Sequence, residues 1–149
     1  MNKAFTLIEL VVVITIIVIL STMVLYVTIQ YVDKGKDSNI ASNLAVLVPA
    51  GEVWYNGAGN SYVDFCNPNQ NSVIKNVLAQ MPEFTYTSPS CSVGATPGVC
   101  CNVAVSKQAW AACAKKFTDG SKAFCVDSRG MKKDINSALC IANTLTQCP

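Results

Sequence analysis

The sequence predicts an α+β fold: one long N-terminal helix, its first half suited to span a membrane, packed on a small antiparallel sheet in a disulfide-stapled head. Three observations carry that expectation. From Leu10 to Val32 there are 23 residues without a charge. Apolar or small side chains then recur every three or four residues from Ile40 to Ala58. All 8 cysteines fall at or after Cys66, among short apolar runs separated by Gly, Pro, Asn and Ser.

Composition points the same way. Hydrophobic residues make up 51% of the chain and charged ones 13%, against about 25% charged in a typical domain. The apolar excess is local, because Phe5 to Val32 holds Glu9 as its single charge. A net charge of +2 demands neither a nucleic-acid nor a membrane-surface partner. The absence of histidine removes the usual general base and the commonest metal ligand.

The first element is the uncharged run. At about 1.5 Å per residue it reaches roughly 34 Å, enough for a hydrocarbon core of about 30 Å. A secretory signal peptide has a shorter apolar core, about 7–15 residues, followed by a small-residue cleavage site. This run is longer and no A-x-A follows it. A small domain could not surround such a helix on all sides. Lys3 and the Met1 amine precede the run, while Asp33, Lys34, Lys36 and Asp37 follow it and cancel. That bias favours the N-terminus inside. The cysteines need an oxidising compartment, which places the rest of the chain across the membrane. Glu9 stands out as a carboxylate one turn into greasy helix, a costly position that usually marks function.

Ile40, Leu44, Leu47, Gly51, Trp54 and Ala58 form the stripe of an amphipathic continuation, widened by Ala41, Ala45, Val48 and Tyr55. The helix is expected from Phe5 to about Tyr55. Pro49 is expected to kink it, since stripe phase survives the proline. Asn56-Gly57-Ala58-Gly59-Asn60 then supplies residues suited to a C-cap.

In the head, Val73 to Met81 reads as a short helix and Phe84 to Thr87 as a strand. Ser88 to Val99 reads as a loop and Cys101 to Val105 as a strand. Ala109 to Phe117 and Lys122 to Asp127 read as strands around the turn Thr118-Asp119-Gly120-Ser121. Asp127 to Gly130 is a further turn, and Ser137 to Pro149 a loop or short strand. A sheet of three or four strands on the helix stripe results.

Spacing does not decide the cysteine pairing. A tight hairpin would set Cys113 opposite Cys125. Cys140 and Cys148 could close a C-terminal loop, Cys91 could meet Cys100 or Cys101, and Cys66 would take what remains. Adjacent Cys100 and Cys101 should go to different partners. A zinc or iron–sulfur site would want paired Cys-x-x-Cys spacing, which is missing. A nucleophilic cysteine would want an activating histidine. No catalytic, metal or cofactor residues are therefore assigned, and an enzyme is not expected. Lys115, Lys116, Lys132 and Lys133 could form a basic patch for DNA, but lysines guarding a strand edge are commoner and phosphate binding needs a broader field.

The string Lys3-Ala4-Phe5-Thr6-Leu7-Ile8-Glu9-Leu10 resembles the processing and methylation site of type IV prepilins. Ala4 stands where most prepilins have Gly, and the span lacks the helix-softening Gly or Pro of many relatives. The resemblance implies a pilin-like fold and a cut between Ala4 and Phe5. It also implies N-methylation of Phe5, and subunit assembly through Phe5 and Glu9. It divides the chain into a leader (1–4), a transmembrane and filament-core helix (5–32), its amphipathic continuation (33–58) and a cysteine-rich head (59–149). The implied partners are further copies in a helical filament, a prepilin peptidase, an assembly ATPase and a platform protein. The implied course is a single-pass protein of the inner (cytoplasmic) membrane, then an extracellular filament serving adhesion, motility, DNA uptake or secretion. A physical account runs in parallel. Cleavage exposes an amine on Phe5, and a neighbour's Glu9 could pair with it, setting the stagger between subunits at lower cost than a buried lone charge. Alternatives are a pseudopilin of a type II secretion system, a competence pilin, or a single-span anchored binding protein that never polymerises.

Overall fold

The computed structural model describes residues 6–81, 98–141 and 145–149. Its first element, α1, is one helix over Leu7–Gly57. Thr6 caps its start in an extended conformation. Through the apolar run every side chain faces outward, and no part of that stretch is buried against the rest of the chain. The hydroxyls there are satisfied within the helix. Thr15 donates to the Val12 carbonyl at 2.7 Å, Ser21 to Ile17 at 2.7 Å and Thr28 to Val24 at 2.8 Å. Such internal pairing suits a helix in lipid, where no water completes a stray polar group.

The amphipathic stripe emerges as read. Ile40, Leu44, Leu47 and Gly51 are buried. Trp54 is half-buried beside them. α1 runs unbroken through Pro49, and the buried face keeps its phase on either side. Pro49 is exposed, so the Ala45 carbonyl that loses its usual donor lies on the outer side. The helix ends where the Asn-Gly cluster stands: the Ala58 N–H donates to Trp54 O at 2.8 Å, and Asn60 N–H to Tyr55 O at 2.9 Å. Gly59 and Asn60 take φ of +68° and +60°, the left-handed region these residues tolerate best.

After a loop comes α2, Ser72–Ala79, capped by buried Asn71 through Val73 N–H (3.0 Å). Four strands follow: β1 Val99–Val103, β2 Trp110–Lys115, β3 Lys122–Asp127 and β4 Lys132–Asn136. They form an antiparallel meander in chain order. A short helix, α3, covers Ser137–Ile141. The β2–β3 hairpin matches expectation, with Cys113 opposite Cys125. β1 begins two residues before the expected Cys101 and ends two before the expected Val105, the early end because Ala104 already turns: Lys107 N–H donates to Ala104 O at 2.8 Å. β4 and α3 were not expected. Lys132-Lys133-Asp134-Ile135-Asn136 has one apolar side chain, and it is an edge strand, where charge is usual. The expected strand Phe84 to Thr87, most of the expected loop Ser88 to Val99, and Cys91 lie outside the described residues.

The sheet separates two cores. On one face Val99, Cys101 and Val103, with Ala112, Ala114, Phe124 and Val126, pack toward Ile40, Leu44 and Leu47 of α1. The two alanines allow the helix close to the sheet. On the other face Cys100, Cys113, Ala123, Cys125 and Ile135 gather with Cys140 and Cys148 of the C-terminal segment. Disulfides join Cys66 to Cys101, Cys113 to Cys140 and Cys125 to Cys148. Cys100 is disulfide-bonded as well, so it and Cys101, which face opposite sides of the sheet, do take different partners. The suggested Cys140–Cys148 closure is not formed, and Cys113 is not bonded to Cys125. Directly opposed residues in an antiparallel pair keep their Cβ atoms about 4.5–5.5 Å apart, wide for a disulfide, which wants about 3.5–4.5 Å. The C-terminal segment crossing this face offers each sulfur a better partner.

Two polar clips hold the parts in place. Asp37 of α1 accepts from Phe117 N–H at 2.6 Å and Thr118 N–H at 3.3 Å, and also from the Thr118 hydroxyl. Beside it the Lys36 ammonium lies 4.8 Å from the centre of the Phe117 ring. Asp127, fully buried, accepts from the Arg129 guanidinium at 2.6 Å and from Cys148 N–H at 2.9 Å. Arg129 in turn donates to Cys148 O at 2.7 Å. Burial works to raise the Asp127 pKa. The hydrogen bonds from Arg129 and from the Cys148, Arg129 and Met131 amides outweigh it and hold the carboxyl below its ordinary range.

Candidate functional site

The first turn of α1 gathers the chemistry that the apolar run lacks. A helix start leaves backbone N–H groups without partners. Here Thr6 Oγ1 accepts from Glu9 N–H at 3.3 Å, while the Glu9 carboxylate accepts from Thr6 N–H at 2.9 Å and from the Thr6 hydroxyl at 2.8 Å. This is a reciprocal capping box. Both bonds that the carboxylate accepts meet on one oxygen, Oε2. The acid is thus held on its own helix, next to a shallow apolar dent walled by Ile8, Val12 and Val13. It also lies where a negative charge is favoured by the helix dipole.

Of the residues expected to act here, Glu9 is described, while Ala4 and Phe5 lie outside the described residues. Thr6 was quoted within the motif but given no role. The pattern Thr-x-x-Glu before an apolar run is a capping-box signature and would have found it.

A family model for the prokaryotic N-terminal methylation motif matches residues 1–25. Those residues carry the prepilin-type signature. No curated protein and no solved structure matches the chain. The prepilin-type signature ends inside α1, so the matched segment and the membrane-competent helix are one continuous element. It supports peptidase processing and a structural subunit of pilin or pseudopilin type.

The other candidate groups are placed elsewhere. The sulfurs of Cys100, Cys113 and Cys140 lie within 4.8 Å of one another, a spacing a metal could use. All three are disulfide-bonded, and only a thiolate ligates well. Lys116 is bridged to Asp134 at 2.7 Å. That hydrogen bond raises the Lys116 pKa above the usual lysine value. Lys132 and Lys133 sit on the edge strand β4.

Proposed function

We propose that the chain is a structural subunit of a type IV pilus or related filament. In this reading residues 5–32 first insert as a single membrane span, a prepilin peptidase cuts between Ala4 and Phe5, and the Phe5 amine is methylated. An assembly ATPase and platform protein then pass the subunit from the cytoplasmic membrane into an extracellular helical polymer. One observation carries the reading: the methylation motif opens directly into a helix half that the chain's own fold leaves wholly uncovered. In lipid that surface gains little from hydrophobicity alone, so close side-chain packing and polar pairing must order it. Glu9 supplies the polar partner. Its Oε1 is free of the capping box, which leaves one oxygen for a neighbour's Phe5 amine.

The test has two readouts. Mass analysis of the native product is expected to find a methylated Phe5 at the N-terminus. Electron microscopy of cells carrying Glu9→Ala is expected to find no filaments, with subunit still present in the membrane fraction. A native product that starts at Met1 and stays monomeric overturns the proposal.

A further inference from the structure

We propose that Cys140 is a movable staple. In the structure it ties α3 to β2 through Cys113. When a dithiol opens the disulfide of Cys100, Cys140 passes to Cys100 and the tie shifts to β1. The proposal concerns the head alone and holds whether or not the chain polymerises.

The placement of three sulfurs carries it. Cys100 and Cys113 are opposed in the β1–β2 register and belong to the same face of the sheet. Cys140 joins them there, and the sulfurs of all three lie within 4.8 Å of one another. Two separate disulfides thus meet at one point, since Cys113 is bonded to Cys140 and Cys100 is bonded elsewhere. Exchange proceeds by attack of a thiolate on a disulfide sulfur, so a third sulfur beside a disulfide is the arrangement it needs. Neighbouring strands are about 4.8 Å apart, so a shift from β2 to β1 asks α3 to move by one strand at most.

The short helix offers little resistance to that shift. Its first residue is pinned: Ser137 N–H donates to Ser121 O at 2.8 Å, and the Ser137 hydroxyl donates to Gly120 O at 3.0 Å. Beyond the pin Ala138 and Leu139 are exposed, and among the described side chains of α3 only Cys140 is buried. The disulfide itself is therefore the main anchor at this end of α3, and Cys140 can swing about the pinned residue.

Burial sets the direction. Cys100 is 8% exposed and Cys113 1%. Once released, the Cys100 sulfur ionises more readily, while the enclosed Cys113 favours the neutral thiol. One thiolate of the dithiol attacks the sulfur bonded to Cys100, and Cys100 leaves as a thiolate. The reagent's second thiol displaces that sulfur, closing the reagent into its own disulfide. Cys100 attacks Cys140 Sγ, the Cys113–Cys140 bond breaks, and Cys113 departs and takes up a proton. Two electrons leave the dithiol, and its two protons end on Cys113 and on the former partner of Cys100. The product keeps α3 stapled and stores the reduction in a buried thiol.

The experiment uses the full chain in detergent. Cys113→Ser leaves Cys140 as the odd thiol beside the Cys100 disulfide. After acid quench and alkylation, peptide mapping by mass spectrometry is expected to find Cys100–Cys140 as the major link, with the alkylated cysteine outside the trio. Cys125→Ser is the control: Cys148 stands outside the trio and is expected to keep its thiol. Wild-type protein in graded dithiothreitol covers the case in which Cys113→Ser does not fold. There, molecules that have lost the original Cys100 bond are expected to carry Cys100–Cys140, with a Cys113 thiol that alkylates only after unfolding. Cys140 recovered as the thiol in a folded Cys113→Ser head overturns the proposal. So does the absence of a Cys100–Cys140 link at every dithiothreitol level, or displacement of the Cys148 thiol in the control as readily as that of Cys140.

Discussion

A methyl group added at Gly51 would meet Trp110 Nε1 at 2.7 Å and its Cε2 and Cζ2 at 3.0 Å. Trp110 is fully buried, so its ring has nowhere to go. Overpacking of this kind costs about 1–3 kcal/mol, against about 1 kcal/mol gained when Ala replaces Gly in a helix. Gly51→Ala is therefore expected to lower the melting temperature of the head, and a rise would refute the close contact. Asp127 gives a second test. Its depressed pKa contributes stability above the unfolded carboxyl value of about 3.9, and that stability is lost as pH falls through the folded value. Acidification below about pH 4 should thus lower the melting temperature of the wild type more steeply than that of Asp127→Asn, followed by circular dichroism. At neutral pH the substitution should cost about 1.5–3 kcal/mol, since it weakens the charge-assisted bonds from Arg129 and the Cys148 amide. Parallel acid slopes would count against the latch. Glu9 was legible in sequence because a lone charge in an apolar run has no camouflage. The Gly51–Trp110 meeting was not, because it joins residues distant in the chain that only the helix–sheet packing brings together.

Among elements, the C-terminal segment depends most on the fold around it. It is held to the sheet by Cys113–Cys140, Cys125–Cys148 and the Asp127 clip. With a sequence separation of 23, Cys125–Cys148 should contribute about 3 kcal/mol in the chain-entropy model. Replacing both by serine is expected to reduce head stability by that order, measured by chemical denaturation. An unchanged midpoint would mean the clip alone suffices. The β2–β3 hairpin was readable from its turn and alternating apolar residues. The edge strand β4 was not, because a strand that buries one side chain leaves almost no periodic signal. Disulfide partners were unreadable for a related reason: pairing follows which face a segment crosses, and α3 with its tail gave no pattern to place it.

For the molecule as a whole, the half proposed to insert and assemble is also the half most plainly written in the sequence. Uncharged length, period and a single acid define it without reference to any distant residue. What seats the head on the helix, the Asp37 clip to the β2–β3 turn, lies 80 residues apart in sequence and has no local signature. Glu9→Gln separates insertion from assembly at this scale. Removing a charge should ease membrane entry, while losing the partner for a neighbour's amine should abolish filaments. Subunit levels by immunoblot and filament counts by microscopy are expected to diverge, and filaments at normal number would show that the acid is dispensable.

The stapled cysteines carry a mechanical consequence for a fibre under load. If α1 is gripped by its neighbours and the head is dragged, tension enters the head at its base and must run through sulfur as well as backbone. The shortest covalent route from Cys66 to Cys148 leaps from Cys66 to Cys101 and from Cys113 to Cys140. It leaves about 20 residues of slack where the bare chain would pay out about 80, roughly 70 Å of reach in place of 280 Å. Stretched hard, such a head would give a little and then stop.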